Sequence, residues 1–495
     1  MGNIMRATLR FIFIFSLVFA FAQNSSTAKS PKNTDDKWIV RDLETFNQLS
    51  GAGKNYFVRK YGLQANLHYT GTASPAKPTT GATTTESFGP ASLVPTGNIL
   101  VTNPRNSFTQ SETSVAVATS GTIVVSFNDA ADFSNLCGYA YSVTGGLSFA
   151  YGGRGLIPDY AGGTSGFLNN GDGVVGAGPG NAVYYSMLAD DMAGRHTIAV
   201  SKSTDGGITF GTPVDVTAGF ANTKDFQDKS WMTVDPINGN VYVSWTDFFF
   251  PFGDAIYFSR STDGGATWAT PQALSPLDST QIVQGSAIAV GPSGEVYVGW
   301  LDGHTANHIA IRKSTDGGVT FGATGNAATF SPVGTPLSGF DVNNFPSIAV
   351  SPTDGKIYIA YNNNPAGTDR SDVSLVWSTN GGASFSSPYR VNHDSTTTDQ
   401  FMPSVAVNVN GDVCVMWYDR RSASDNSKID VAATINGPER RITSVSWSLA
   451  PVQSGLRTNY HGDYNQLAPA GTLFLLPWGD ERFGDPDVAF RIIQP

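Results

Sequence analysis

The stretch Asn240-Val241-Tyr242-Val243-Ser244-Trp245-Thr246-Asp247 decides the fold, because its ending recurs along the chain. Each copy is a β-like run that closes on an aromatic or apolar residue, one further residue, and then Asp or Asn. The seven endings are Phe127-Asn128-Asp129, Leu188-Ala189-Asp190, Trp245-Thr246-Asp247, Trp300-Leu301-Asp302, Tyr361-Asn362-Asn363, Trp417-Tyr418-Asp419 and Trp478-Gly479-Asp480. Their spacing is 55 to 61 residues, so one repeated unit fills the chain from about Ser111 onward. A repeat of this length that contains only strands predicts a β-propeller or a β-solenoid.

The third unit indicates how one copy folds. Trp231–Val234, Asn240–Trp245 and Ala255–Ser259 read as three strands separated by turns, and Trp268 leads into a fourth. Four antiparallel strands form one propeller blade, and closure into a ring removes the exposed sheet edges. The seventh unit contains only three strand patterns, so we predict that Asn98–Thr102 supplies its outer strand. The prediction is an all-β, seven-bladed propeller of four-stranded antiparallel blades over residues 97–495, with six blades as the alternative.

The composition and the first residues predict an exported protein. Charged residues make up 14% of the chain and the net charge is −10, which argues against a nucleic-acid partner. Arg6 and Arg10 precede an apolar run from Phe11 to Phe21 that is too short to span a bilayer. Residues 1–22 therefore read as a signal peptide. We expect a secreted protein, extracellular or periplasmic, without a membrane span.

Residues 23–96 differ in character from the repeats. Most of this segment is rich in Ser, Thr, Pro, Ala and Gly without an apolar period, which is typical of a disordered linker. Spaced apolar residues at 38–69, among them Phe46 and Tyr61, indicate a short helical segment or a helical pro-segment, and the sequence does not decide between the two. We expect residues 23–96 to be dispensable for the propeller.

The turn between the third and fourth strands carries a second signature. It reads Ser203-Thr204-Asp205-Gly206-Gly207-Ile208-Thr209-Phe210, and it recurs at Ser261 to Trp268, at Ser314 to Phe321, at Ser378 to Phe385 with Asn380 for Asp, and more weakly at Ser142 to Phe149. These turns resemble the Asp-box, or bacterial neuraminidase repeat, of the sialidase superfamily. A structural role is favoured, since Ser and Asp bond turn amides, paired glycines permit positive φ, and the aromatic residue fills space between sheets.

Two sets of polar residues are expected at one mouth of the central channel. One is the Asp/Asn ring at the second-strand ends. The other precedes the first strands and comprises Glu112, Asp172, Asp228, Gln284, Asn344, Gln400 and Asp463. A polar, concave mouth is the default site in such a fold. Because a residue type present in every blade is most simply structural, any catalytic groups should break the symmetry.

The resemblance to sialidases implies specific roles for such residues. Sialidases bind the substrate carboxylate with three arginines, and they use a Tyr nucleophile paired with Glu and an Asp acid/base. By position, Arg105, Arg421 and Arg482 would bind substrate, Tyr464 and Glu481 would be the nucleophile and its partner, and Asp129 would be the acid. Lys229 is a further cation at this mouth and a candidate substrate-binding residue. No metal or other cofactor is expected.

Two departures from the sialidase pattern bear on the substrate. The family's Phe/Tyr-Arg-Ile-Pro motif is replaced by Asn103-Pro104-Arg105-Asn106, and seven blades stand where sialidases have six. The acidic rings also favour a neutral glycan over an anionic sugar. The sequence thus predicts a glycan-directed, sialidase-like exo-glycoside hydrolase or, as the alternative, a non-catalytic propeller that binds carbohydrate or protein. The expected partner is a glycan or glycoconjugate, and the expected oligomeric state is a monomer.

Overall fold

The computed structural model describes residues 97–102, 109–130, 136–154, 167–191, 195–218, 220, 225–249, 253–277, 282–303, 307–333, 342–364, 370–449, 461–484 and 486–495. In these ranges every regular element is a strand, and the strands form seven four-stranded antiparallel sheets. This confirms the all-β, seven-bladed propeller and rules out the six-bladed alternative. The predicted signal peptide at 1–22, the segment at 23–96 with its 38–69 island, and Arg105 lie outside the described residues.

The strands follow the chain blade by blade. The first, β1 (Ile99–Leu100), belongs to the last blade. Blade 1 comprises β2 (Gln110–Val117), β3 (Ile123–Asp129), β4 (Cys137–Ser142) and β5 (Ala150–Arg154); blade 2 comprises β6 (Phe167–Ala177), β7 (Val183–Asp191), β8 (His196–Ser203) and β9 (Val214–Asp215); blade 3 comprises β10 (Asp225–Val234), β11 (Val241–Phe249), β12 (Gly253–Ser261) and β13 (Gln272–Ala273). Blade 4 comprises β14 (Val283–Val290), β15 (Val296–Asp302), β16 (His308–Ser314) and β17 (Gly325–Thr329); blade 5 comprises β18 (Ser347–Val350), β19 (Ile357–Asn363), β20 (Asp372–Ser378) and β21 (Tyr389–Arg390). Blade 6 comprises β22 (Gln400–Val407), β23 (Val413–Asp419), β24 (Asp430–Ile435) and β25 (Glu439–Arg441); blade 7 comprises β26 (Ala468–Ala470), β27 (Leu473–Asp480) and β28 (Asp487–Ile493), completed by β1.

The ring closes as one strand plus three. Ile99 and Leu100 of β1 pair with Phe490 and Ala489 of β28. Thr113 of β2 also forms an isolated bridge with Asn465, just before β26, so blades 1 and 7 meet at the inner strands as well. The closing strand is shorter than the predicted Asn98–Thr102, but it occupies the predicted place.

The repeated endings of the second strands are buried and bonded internally. Trp245, Trp300, Trp417 and Trp478 are among the largest fully buried side chains. Each indole N–H donates to Oδ2 of the Asp two residues later, Asp247, Asp302, Asp419 or Asp480, at 3.2, 3.4, 2.8 and 2.9 Å respectively. This internal bond satisfies a buried donor, which is a structural reason for the repeat.

The Asp-box turns are structural, as predicted. In the second blade, the hydroxyl oxygen of Ser203 accepts the N–H of Gly207 at 2.8 Å, and Oδ1 of Asp205 accepts the N–H of Thr209 at 3.0 Å. The ring of Phe210 then packs edge-on against Tyr139 of the preceding blade, with centroids 5.1 Å apart. Each such turn therefore fastens its blade to the one before it.

Most inner strands contain a β-bulge at the channel mouth. Ladder register shifts between Ser111/Ser114, Gly171/Val174, Asp228/Trp231, Gln284/Ala287 and Phe401/Ser404. Glu112, Asp172, Lys229 and Met402 lie in these bulges at φ of 58, 55, 53 and 51°. That region is unfavourable for residues with a Cβ, and a bulge re-aims the side chain it carries.

Because of the bulges, the ring of residues before the first strands differs from the predicted one. Residues that line the channel include Lys229, Gly285, Phe345 and Met402, in place of the predicted Asp228, Gln284, Asn344 and Gln400. In blades 3, 4 and 6 the extra bulge residue shifts the channel position by one or two places along the chain. The Asp/Asn ring at the second-strand ends is also displaced in blade 2. There Asn169 pairs with Ala189, in the way that Gln110 pairs with Asp129 in blade 1, so Asp190 lies one place further along the strand.

Candidate functional site

Lys229 occupies the centre of the channel mouth and bonds acidic residues of three blades. Its Nζ lies 2.5 Å from Oδ2 of Asp463, 3.6 Å from Oδ2 of Asp172 and 3.7 Å from Oε1 of Glu112. Burial opposes the charge of Lys229, but the carboxylates, Asp172 first, prevail and hold its pKa well above the usual value. Burial, reinforced by Asp172, raises the pKa of Glu112. The predicted cation at the mouth is therefore engaged by the protein itself.

Tyr464 lies in the same channel, against the lysine. Nζ of Lys229 is 5.5 Å from the centre of the Tyr464 ring and 5.7 Å from that of Phe345, which are cation–π distances. The Tyr464 hydroxyl is buried and makes no hydrogen bond to any described residue. Burial raises the pKa of this phenol well above its usual value. No described carboxylate forms the hydrogen bond to the Tyr464 hydroxyl that a base activating a nucleophile would form.

The space left in the channel is small. A cavity of about 40 Å³ is lined by Lys229, Trp231, Phe345, Met402 and Tyr464, among others. That volume holds about three water molecules at roughly 10–15 Å³ each by this measure. A sugar ring does not fit between these side chains as they stand.

Arg421 and Arg482 are bound by the aspartates of their own blades. Nε of Arg421 donates to both carboxylate oxygens of Asp419 at 2.9 and 2.8 Å, and Nε of Arg482 donates to those of Asp480 at 2.8 and 2.9 Å. In each case the arginine's backbone N–H donates to Oδ1 of the same aspartate, at 2.9 and 3.0 Å. Both arginines belong to a repeated Trp-x-Asp-x-Arg sequence at the ends of β23 and β27.

The remaining contacts of the two arginines point outward from the channel. Nη1 of Arg421 lies 2.6 Å from Oε2 of Glu439, the first residue of the outer strand β25. Nη1 of Arg482 lies 3.1 Å from the hydroxyl of Ser444, beyond that strand, and 3.4 Å from Asn98 beside β1. These arginines therefore do not converge on Lys229 and Tyr464.

Glu481 and Asp129 each have a partner of their own. Oε1 of Glu481 lies 2.7 Å from Nδ1 of His461, and both side chains are fully buried. Oδ2 of Asp129 accepts the hydroxyl of Tyr151 at 2.8 Å. Sequence reasoning missed Tyr151, and no pattern in the sequence marks it, because it reaches Asp129 from the outer strand β5 across β4. Of the predicted catalytic and substrate-binding residues that the structure describes, Lys229 and Tyr464 lie together.

Asp247 is the aspartate at the second-strand end of blade 3. It corresponds to Asp419 and Asp480, but no arginine follows it in the sequence. Its Oδ2 accepts Gln227 at 3.0 Å and the indole of Trp245 at 3.2 Å, while Oδ1 has no partner among the described residues. Burial raises the pKa of Asp247 to about 7. A carboxyl group that holds its proton near neutrality is suited to acid catalysis if substrate can reach it.

A metal-binding cluster and a membrane-spanning helix each have structural requirements that can be checked in the described ranges. No group of three or more His, Cys, Asp or Glu side chains there is arranged to hold a metal ion. Nor does that part of the chain contain a helix long and apolar enough to cross a membrane. Cys137 and Cys414, in the non-neighbouring blades 1 and 6, are both buried and unbridged.

Comparison with known proteins finds one family model, which matches slightly less than half of the chain. Residues 182–415, from just before β7 into β23, match the family model of the BNR repeat-like domain. No curated protein matches the chain. Several solved structures are similar at low identity, and at these values the likeness carries no information about activity.

Three of these structures represent the range of matches. A protein of unknown function from Dyadobacter fermentans is 14% identical, with 81% of this chain and 98% of that chain covered at a TM-score of 0.44. The leech intramolecular trans-sialidase is 11% identical over 80% of this chain and 93% of its own, at 0.43. The α-L-arabinanase of Penicillium chrysogenum is 10% identical over 82% and 99%, at 0.45.

Proposed function

We propose that this protein, a BNR-repeat β-propeller of the sialidase-like superfamily, is a secreted glycan-binding protein. The Asp-box repeats support a glycan-directed role, since that superfamily contains both hydrolases and non-catalytic binding propellers. The described residues at the mouth support binding over hydrolysis, because their charges are neutralised by one another. A neutral glycan is the expected ligand, since the mouth offers no free cation to a sugar carboxylate among the described residues.

One observation supports binding rather than sialidase activity: Arg421 and Arg482 form bidentate hydrogen bonds with Asp419 and Asp480. A sialidase needs such arginines to bind the carboxylate of its substrate with the same fork of donors. Freeing the guanidinium group would leave a buried aspartate without its partner, which is costly. The arginine triad of Arg105, Arg421 and Arg482 is therefore disfavoured, although Arg105 lies outside the described residues.

The second candidate function is glycoside hydrolysis, and Asp247 favours it. Glycosidases need a carboxylic acid that is protonated near neutral pH, and burial gives Asp247 a pKa of about 7. The sialidase-like assignment of Asp129 as the acid and Tyr464 and Glu481 as the nucleophile pair is less supported. Those three side chains contact other residues rather than one another.

Export is part of the proposal. Residues 1–22 would be removed as a signal peptide, and residues 23–96 would connect the new terminus to the propeller as a linker, with a monomer as the working state. Amino-terminal sequencing of the protein recovered outside the cells, beside its mass in solution, tests these assignments. A mature protein that begins at residue 1 would contradict them.

The function is tested with the purified full chain on two assays in parallel. A glycan array with neutral and sialylated glycans measures binding, and aryl glycosides, sialosides included, measure hydrolysis. We expect binding to neutral glycans without release of the aryl group. Release that is lost in Asp247→Asn would favour the hydrolase, and release from sialosides that is lost in Tyr464→Phe would restore the sialidase-like mechanism. An array without any bound glycan would contradict the glycan-directed role.

A further inference from the structure

In three Asp-boxes the aromatic residue packs at an equivalent position, here called the seat, on the preceding blade. Phe149 packs on Phe490 at 5.1 Å, Phe210 on Tyr139 at 5.1 Å, and Phe321 on Phe258 at 4.9 Å between ring centres. The three residues contacted, Phe490, Tyr139 and Phe258, lie at equivalent positions of the third strand. Their partners on the second strand are Pro477, Ser126 and Ser244. Each ring fills the gap between two neighbouring sheets.

Blade 6 has no Asp-box to fill the corresponding seat on blade 5. Its third strand ends at Ile435 and its fourth begins at Glu439, with only Asn436-Gly437-Pro438 between them. The seat position on blade 5 is Leu375, which lies opposite Ala360. No ring from blade 6 covers it, and a groove remains between the two blades.

The groove has the size of a small-ligand site. Its volume is about 340 Å³, at the lower end of the range of roughly 300 to 1,000 Å³ typical of ligand pockets. Blade 5 lines it with Tyr358, Leu375, Trp377, Tyr389 and Val391, and blade 6 with Val413, Val415, Thr434 and Asn436. Tyr358 and Trp377 are direct cross-strand partners, so their rings lie side by side on one face of the sheet.

The polar groups of the groove suit a neutral ligand with hydroxyl groups. The indole N–H of Trp377 and the hydroxyl of Tyr358 make no hydrogen bond to any described residue, so both are available to a ligand. Tyr389, 46% exposed, shares a hydrogen bond of 2.7 Å with His393 at the rim. Charges at the rim are balanced, since Lys356 pairs with Asp354 at 3.0 Å and Arg421 with Glu439 at 2.6 Å.

We propose that this groove between blades 5 and 6 is a binding site for a ring of a neutral oligosaccharide. The proposal rests on the glycan-binding function inferred above and moves the site from the channel mouth to the side of the propeller. Aromatic rings supply flat apolar surface for the C–H faces of a sugar, and the free N–H and O–H groups meet its hydroxyls. Balanced charges disfavour an ionic ligand, because a charged group would lose its hydration without gaining a partner.

Two variants of the full chain test the groove. Gly437→Phe supplies the missing ring, and a Cβ at Gly437 meets no atom within 4 Å, so the variant should fold. Trp377→Ala removes one aromatic wall. Gly97→Phe is the matched control, because Gly97 is equally open and lies outside the groove. Affinity for cellohexaose, xylohexaose, mannohexaose and 3′-sialyllactose is measured by calorimetry, and thermal melts check the fold of each variant.

We expect at least one neutral hexasaccharide to bind the wild type, with a tenfold or greater loss of affinity in both groove variants and none in Gly97→Phe. Unchanged affinity in the groove variants would overturn this site while leaving the glycan-binding function intact. Failure of every probe to bind the wild type would overturn both. Faster proteolysis of residues 23–96 in Gly437→Phe, with sugar affinity unchanged, would assign the groove to that segment and also overturn the proposal.

Discussion

Nζ of Lys229 lies 2.5 Å from Oδ2 of Asp463, which joins blade 3 to blade 7 across the centre of the ring. The two residues are 234 positions apart in the chain. Glu112 and Asp172, from blades 1 and 2, complete the cluster, so one ammonium group serves four blades. With the lysine side chain only 3% exposed, this cluster is shielded from solvent and from salt.

Replacing the lysine should destabilise the whole ring. In Lys229→Met the three carboxylates would be left buried without a counter-charge, and we expect a loss of about 3–5 kcal/mol in the free energy of unfolding. Urea denaturation at pH 7 measures it. The loss should shrink already in mild acid, because Glu112, whose pKa burial raises, gains its proton there. Lys356→Met, which removes an exposed ion pair, is the control and should change stability by less than about 1 kcal/mol. Equal effects in the two variants would contradict the role of the cluster.

Asp247 should make the fold more stable in mild acid than at neutral pH. Its pKa is about 7 in the folded protein, against about 3.9 for an unfolded chain. The stabilisation that this difference provides is complete below the unfolded pKa and is lost as the pH rises through 7. Asp247→Asn stays neutral and can still accept the Gln227 and Trp245 bonds, so its stability should fall less between pH 4 and pH 7.5. If urea denaturation gave the variant and the wild type the same dependence of unfolding free energy on pH, burial would not raise the pKa of Asp247.

The two arginines of the Trp-x-Asp-x-Arg sequences should contribute to stability, in contrast to the small effect expected of exposed charges. Arg482 is 13% exposed and Arg421 32% exposed. We expect Arg482→Ala to cost about 3 kcal/mol, because Asp480 would stay buried alone, and Arg421→Ala to cost about 1 kcal/mol. Thermal melts measure both losses. Adding Asp480→Asn to Arg482→Ala should recover part of the loss, and a further decrease would contradict the pairing argument.

The Asp-box carboxylate should be replaceable by an amide but not by a methyl group. The Thr267 hydroxyl and backbone N–H, aided by Ser261, lower the pKa of Asp263 to about 2. Asp263→Ala removes these acceptors and should cost about 1 kcal/mol. Asp263→Asn should cost less, because Asn380 already accepts the N–H of Ser384 at 3.0 Å in the fifth blade. Chemical denaturation compares the two, and an equal loss would mean that charge rather than geometry matters.

The fold was predictable because every blade repeats the same sequence pattern, whereas the site depends on features that occur once. Seven repeats of an aromatic or apolar residue with Asp or Asn two places later indicate the number of blades, and the three-stranded last unit indicates the closure. The bulge that turns Lys229 rather than Asp228 into the channel is invisible in the sequence, since a positive φ at a lysine has no local signature. The sequence alone does not reveal that Arg421 pairs with Asp419. The same spacing at Asp480 and Arg482 becomes meaningful only once the structure shows both pairs.

Closure of the ring by β1 has a consequence for how the chain is made. The strand that completes blade 7 is among the first parts of the propeller to leave the ribosome, while its partner Asp487–Ile493 is the last. Blade 1 therefore stays beside an unpaired sheet edge while nearly four hundred further residues are synthesised. During that interval the nascent ring is an open arc whose two ends are exposed to other chains. The ring can therefore close only when Asp487–Ile493 is present and folded.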